Sequence, residues 1–434
     1  MHYLNDADTP ASSTAIRTAL LPFVLIVSLF FLWGMANNLN DILITQFKKA
    51  FTLSDFQAGL VQSAFYLGYF LLALPAGMFM RRYGYKGAVM VGLVLYGVGA
   101  LLFWPAAQAH TYGLFLLALF VIAGGLAFLE TSANPFVTVL GPKESAARRL
   151  NLAQAFNPLG SITGVIIGQH FIFSGVEHTP EQLAGMTATA RASYLATESS
   201  AVQTPYLIIG IVVLVWALLI LATRFPTQHS ESAGPHATGA SQLGGLLRNK
   251  GFVFAVVAQF FYVGAQVGIW SYLIRYTQST MPGTAEKMAA NYLTLSLVSF
   301  MVGRFAGTAL MRYFVPSKLL ALFATINVAL CGWAVLVPGQ TGVYALVASS
   351  FFMSLMFPTI FALGLEGLGD DERKLGSALI VMAIIGGAIL TAVMGAVSDA
   401  AGIHRAMAVP LACFAIILMF AINRKAAAAV RLEH

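Results

Sequence analysis

Twelve stretches of this 434-residue chain stay apolar for about the length a helix needs to cross a bilayer. They fall at approximately 20–46, 57–80, 87–107, 112–140, 149–173, 204–223, 252–276, 288–311, 318–337, 342–364, 375–398 and 405–422. In hydrocarbon every backbone N–H and C=O must be satisfied within the protein, which leaves α-helices or closed barrels. Barrel strands alternate over about 10 residues. These runs are longer and continuously apolar, so the expected fold is an all-α integral membrane protein. Composition agrees: 9% of residues are charged and 58% hydrophobic, against roughly 25% charged in a soluble domain.

The net charge of +7 would suit an anionic partner, but its distribution argues for topology instead. With the N-terminus placed in the cytoplasm, seventeen of the 24 lysines and arginines fall on the inner side, among them Arg81, Arg82, Lys86, Arg148, Arg149, Arg312, Lys318, Arg373 and Lys374. Six fall outside, and Arg304 lies within a span. The positive-inside bias therefore places both termini in the cytoplasm, and no nucleic-acid partner is expected. Cys331 and Cys413 lie in apolar spans and read as packing residues. The first apolar run is too long for a signal core.

Residues 224–250 are rich in Gly, Ser, Thr, His and Pro and follow the sixth span, as a linker between two halves would. The expected organisation is a cytoplasmic tail (1–19), a six-helix half (20–223), the linker (224–250), a second six-helix half (251–422) and a tail (423–434) that ends in an expected tag remnant, Leu432-Glu433-His434. A second polar stretch, 174–203, is external and suits a short surface helix. The halves echo one another. Gly77 precedes Arg82 by five residues as Gly307 precedes Arg312, and Pro135 precedes Gly141 by six as Pro358 precedes Gly364. The offsets of 230 and 223 residues point to an internal duplication.

Two carboxylates stand inside the spans. A charge in hydrocarbon costs from about 3 to well over 10 kcal/mol, so such residues face a cavity or pathway. Asp41 follows Asn37, Asn38 and Asn40 in span 1, two of which share its helix face. Glu130, Asn134 and Thr138 lie i, i+4, i+8 on span 4. Span 5 adds Gln154 and Asn157, while Asn151 could equally cap a helix. Amides can also act as glue between membrane helices, but carboxylates among them are an expensive form of glue. Paired donors and acceptors of this kind suit the hydroxyls of a sugar. Gln259, Tyr262, Gln266 and Trp270 recur along span 7 and either line the site or form an aromatic packing stripe. Asn291 in span 8 is a further candidate ligand.

Arg304 lies roughly 12 Å of helix rise from Arg312, and Glu130 about 16 Å from the inner end of span 4. These depths permit a charge pair acting as a gate between the halves; the alternative is Arg304 bonding helix-end carbonyls. The eight histidines lack metal spacing, and there is no P-loop, so neither metal nor ATP drive is expected. No enzyme constellation emerges.

The segments FLWGMANNLNDIL, FLETSANPFVTVLGP, RLNLAQAFNPLG, QFFYVGAQVGIWSYLIRY, GRFAGT and VMAIIGGAI resemble, in order, the L-fucose:proton symporter family of the major facilitator superfamily. The resemblance covers about residues 20–422. It implies twelve transmembrane helices in two six-helix halves, with alternating-access symport of a hexose or deoxyhexose. L-fucose is favoured; glucose, galactose and N-acetylglucosamine are alternatives. It implies proton coupling and sugar recognition by Asp41 and Glu130, site roles for Gln154 and Asn157, no cofactor beyond the proton, and a monomer in the lipid bilayer. The chain departs from the wider superfamily in the loop after span 2, where GMFMRRYG sets Arg81 at the usual acidic place. Sodium coupling, an uncoupled uniporter and an intramembrane enzyme are the rival readings.

Overall fold

The computed structural model describes residues 13–51, 55–172, 180–225, 239–284 and 286–430. Among them there is no strand; the chain is a bundle of long helices. Span 1 is Ser13–Ala50. The next helix, Asp55–Leu101, is two spans. Gly84 interrupts it with φ 74° and ψ 176°, a backbone only glycine adopts readily. Gly68 packs on Ala123, and Gly99, thirty-one residues later, packs on Ile122. A straight helix would separate them by about 46 Å, so the chain reverses at Gly84 and spans 2 and 3 form a hairpin against span 4, Tyr112–Val139.

Span 5 is broken at Ala155 into Ala146–Gln154 and Phe156–Ile167. Two short helices, Pro180–Gly185 and Ala188–Ser200, lead to span 6, Gln203–Ala222. The expected surface helix is thus present as two. Of the expected linker, residues 226–238 lie outside the described residues, and Gly239–Arg248 is helical. Spans 7, 8 and 9 are Lys250–Thr280, Glu286–Leu310 and Pro316–Leu336. Span 10 breaks at Ser354–Leu355 between Gln340–Met353 and Met356–Leu365. Span 11 runs through a 3-10 turn at Ala383–Ile385 joining Asp370–Met382 to Gly386–Ala401, and span 12 is Ala408–Val430.

Nine segments among the described residues are long and apolar enough to cross a membrane, one of them the 2–3 hairpin. With span 1, whose apolar run ends at Asn37, and the interrupted span 5, they make twelve. The surface fits lipid: Leu218, Leu221, Phe171 and Leu336 are exposed, whereas Glu130, Asn134, Asn151, Gln154, Gln259 and Arg304 are buried. An apolar exterior around a polar interior inverts the pattern of a soluble domain.

The duplication is visible in packing. A Cβ at Gly160 would collide with the Phe31 carbonyl between spans 5 and 1; one at Gly386 would collide with the Phe260 carbonyl between spans 11 and 7. Small residues let such helices approach backbone to backbone. The offsets, 229 and 226 residues, lie between the 223 and 230 of the sequence echoes.

The halves meet toward the end of the bundle that carries the basic loops. Gly77 of span 2 sits on Ala378 of span 11, and Tyr85 Oη donates to Asp370 Oδ1 at 3.1 Å. Lys374, itself buried, pairs with Asp370 at 2.5 Å. Asn151 Nδ2 of span 5 donates to Thr359 Oγ1 of span 10 at 3.1 Å. The basic end is closed.

Candidate functional site

Glu130 is 7% exposed in the middle of span 4. Its carboxylate faces the Tyr69 phenol of span 2, which also faces Asn37 of span 1. Tyr69 Oη and Asn37 Oδ1 are buried without a well-formed hydrogen bond, as is Thr131 Oγ1, next to Glu130 in sequence. Unpartnered polar atoms are rare in native interiors, and each calls for an explanation such as a bound polar solute or water. Asp41, Asn38 and Asn40 lie on the span 1 helix, but their side chains are outside the described residues.

Asn134 is one turn from Glu130. Its Nδ2 donates to the Glu130 main-chain carbonyl at 2.9 Å, and its Oδ1 accepts from Gln154 Nε2 at 2.9 Å. Thr138, expected on the same face, instead donates to Pro135 O at 2.7 Å. Gln154 Oε1 accepts from Arg304 Nη1 at 3.1 Å. A continuous polar chain thus runs from span 4 through span 5 of one half to span 8 of the other.

Arg304 is 3% exposed. Its remaining bonds go to main-chain carbonyls, Nη1 to Gln154 O at 3.0 Å and Nε to Ser354 O at 2.7 Å, and its guanidinium lies 4.7 Å from the Phe300 ring centroid. The ion pair with Glu130 that the matching depths permitted is not formed, because Asn134 and Gln154 stand between the two groups. The carbonyl-bonding alternative is the one adopted.

Asn157 is half-buried, and its Nδ2 reaches the Phe30 carbonyl at 3.4 Å across the tight 1–5 crossing. In span 7, Tyr262 is fully buried beside Arg304 and edge-on to Phe357. Its hydroxyl has no well-formed bond, nor do either of the amide atoms of Gln259, one turn away. Gln266 is half-buried. Trp270 donates Nε1 to Ser350 Oγ at 3.2 Å and packs edge-on to Phe300 at 5.0 Å. Its donor is taken by its own half, so it can offer a solute only its ring. Asn291 is exposed, about 20 Å along span 8 from Arg304, and is not brought to this cluster.

Sequence reasoning passed over Tyr69 and Thr131. Their signal is positional: a lone hydroxyl in an apolar run gains meaning only once span rotation is known. Among the described residues no group of His, Cys, Asp and Glu could hold a metal ion.

The Major Facilitator Superfamily profile matches residues 24–384. The chain is 51% identical over 409 residues to the L-fucose-proton symporter of Escherichia coli (strain K12), covering 93% of each protein. This chain belongs to the L-fucose:proton symporter family of the Major Facilitator Superfamily. It is a membrane transporter, not an enzyme. A glucose/galactose transporter of Brucella abortus is 38% identical over 393 residues, covering 90% of this chain and 91% of the relative. The solved transporter FucP in its outward conformation matches with a TM-score of 0.87 at 51% identity, over 94% of this chain and 99% of that one.

Proposed function

We propose that the protein is a monomeric proton-coupled symporter that imports L-fucose, or a sugar of closely similar hydroxyl pattern, across a bacterial inner membrane. Both termini and the basic end face the cytoplasm. The observation that carries this reading is the buried Glu130 carboxylate, set against Tyr69 and Asn37 and joined through Asn134 to an amide chain.

Asp41, nearer the outer end of span 1, takes the proton first; Glu130, deeper in span 4, exchanges it as sugar binds. Asn37, Asn38, Glu130, Asn134, Gln154 and Asn157 supply donors and acceptors for the sugar hydroxyls. Gln266 adds an amide, and Tyr262 and Trp270 add aromatic surface for the apolar face of the ring. Asn291, at its distance from the cluster, would act only if the halves close at the outer end. A proton and a neutral sugar together cancel the buried charge, which lowers the cost of the occluded state. The halves then rock around the central site, opening the basic end. One proton crossing 100 mV supplies about 2.3 kcal/mol, enough for roughly 50-fold accumulation.

The Brucella abortus relative favours a second reading for the sugar, a hexose such as glucose or galactose. Uptake of a labelled sugar panel into proteoliposomes, with and without an imposed pH gradient, tests both readings. Gradient-driven L-fucose uptake exceeding that of glucose and galactose supports the first; the reverse order supports the second; uptake indifferent to the gradient removes proton coupling.

A further inference from the structure

Arg304 is a buried cation whose described partners are all neutral oxygens or a ring face. Two of those oxygens are main-chain carbonyls that helical bonding would normally occupy. Gln154 O belongs to the half containing span 5, Ser354 O to the half containing span 10. In an α-helix each carbonyl accepts from the N–H four residues on. Four residues after Gln154 is Pro158; four residues after Ser354 is Pro358. Proline has no N–H to give. Both spans break at this register, span 5 at Ala155 and span 10 at Ser354–Leu355. One guanidinium therefore binds two carbonyls, each freed by a proline and each on a different half.

We propose that Pro158 and Pro358 are positioning residues of the transport cycle, each stripping a carbonyl of its helical partner: the Ser354 carbonyl anchors Arg304 within its own half, and the Gln154 carbonyl receives it across, so that Arg304 latches the two halves together on the basic-end side of the site. This inference rests on the alternating-access reading above and adds a mechanical part to it. The fork of the guanidinium suits the task, because Nε and Nη1 point to different acceptors at once. Lysine, a single point donor on a flexible stem, would not hold both in one geometry.

The latch is also wired to the solute site. Gln154 gives Arg304 both its carbonyl and its Oε1, and the same amide donates Nε2 to Asn134, whose own amide sits on the Glu130 turn. A sugar hydroxyl that recruits the Gln154 amide competes with Arg304 for Oε1. Solute binding then removes one bond from the latch and leaves the Gln154 carbonyl bond to break as the basic end opens, while the Ser354 bond, within Arg304's own half, stays. The latch contains no carboxylate, so its release does not require a proton to arrive at the latch itself.

The test uses the full-length protein in proteoliposomes without sugar, with Cys331 and Cys413 replaced by alanine. Spin labels sit at Lys143→Cys and Glu366→Cys, exposed positions in basic-end loops of the two halves. The inter-label distance distribution reports whether the basic end is closed. Pro158→Ala and Pro358→Ala each restore an N–H that recaptures the carbonyl. Pro158→Ala should raise the ratio of separated to closed molecules about ten-fold, the size of one lost charge-assisted hydrogen bond between the halves, and Pro358→Ala, which loosens the anchor of Arg304 in its own half, should raise it about two- to ten-fold. Arg304→Gln should raise it at least as much, and Arg304→Lys should fail to restore closure. Pro22→Ala, in span 1, alters neither of the carbonyls that Arg304 binds and should leave the distribution unchanged. A distribution unmoved by either proline variant, or moved equally by Pro22→Ala, overturns the proposal. Because this readout uses neither sugar nor proton flux, it fails separately from the symport reading, which stands or falls on gradient-driven uptake.

Discussion

The two halves of the bundle share a scaffold but not a chemistry. Each closes its first and fifth helices on a glycine that lies against a carbonyl, Gly160 on Phe31 and Gly386 on Phe260. Yet Asp41, Glu130 and most of the candidate amides belong to the first half, while the second half's acidic residues, Glu286, Glu366, Asp370, Asp371, Glu372 and Asp399, all stand at helix ends or in loops. What the second half places in its middle is Arg304, two unpartnered groups of span 7 and a cluster of serines around Trp270. Duplication preserved the parts that set helix distance. On the proposed reading the first half holds the proton and sugar groups, and the second half supplies the surface that this half must grip and release.

If that division holds, the largest effect belongs to the first half. Glu130→Gln should reduce concentrative sugar uptake from about 50-fold accumulation to equilibration, with sugar exchange retained. Asp399→Asn, an exposed carboxylate of the second half, should leave accumulation within about two-fold, since isolated surface changes seldom matter. Uptake assays in energised vesicles check both. Equal losses in the two variants would break the comparison.

The shared scaffold should fail symmetrically. Gly160→Leu and Gly386→Leu each force a side chain into a backbone contact and should cost at least about 1–3 kcal/mol, seen as lower melting temperatures in detergent. Gly113→Ala, with nothing within 4 Å of the added Cβ, should change stability by less than about 0.5 kcal/mol. A large drop from one scaffold variant and none from the other would show that the halves pack by different rules.

Smaller effects separate solute contacts from packing. Gln266→Ala should raise the sugar KM about two- to ten-fold, the worth of a single neutral hydrogen bond, with little change in melting temperature. The smallest effect is expected for Tyr85→Phe, which deletes the 3.1 Å bond to Asp370 at the basic rim. Because Asp370 is partly open to solvent at the rim, that bond is worth about 1 kcal/mol, and its loss should slightly favour the open basic end in the spin-label experiment.

The division between halves also explains what could be seen in advance. Apolar length located the twelve spans, and carboxylates beside amides within them pointed to the candidate site of the first half, because both are signals of composition along one helix. Gly84 escaped as a turn only in outline: its positive φ lets spans 2 and 3 run on as one helical stretch. Contacts between helices were not legible. Tyr69 meets Glu130 and Arg304 meets two carbonyls only after each helix has taken its rotation, and hydropathy does not report rotation in a span that is apolar on most sides. Asn291 shows the same limit from the other direction, a polar residue in a span that packing leaves exposed. Pro358 was visible as one member of the repeat, but the carbonyl it frees finds its donor on another helix.

The most direct test of the account is sugar-induced proton movement. Purified protein in lightly buffered proteoliposomes should raise the external pH when L-fucose is added, and Glu130→Gln should abolish that rise while labelled fucose still exchanges across the membrane. Net fucose uptake by the unaltered protein with no change in external pH, or an undiminished pH rise in Glu130→Gln, would contradict it.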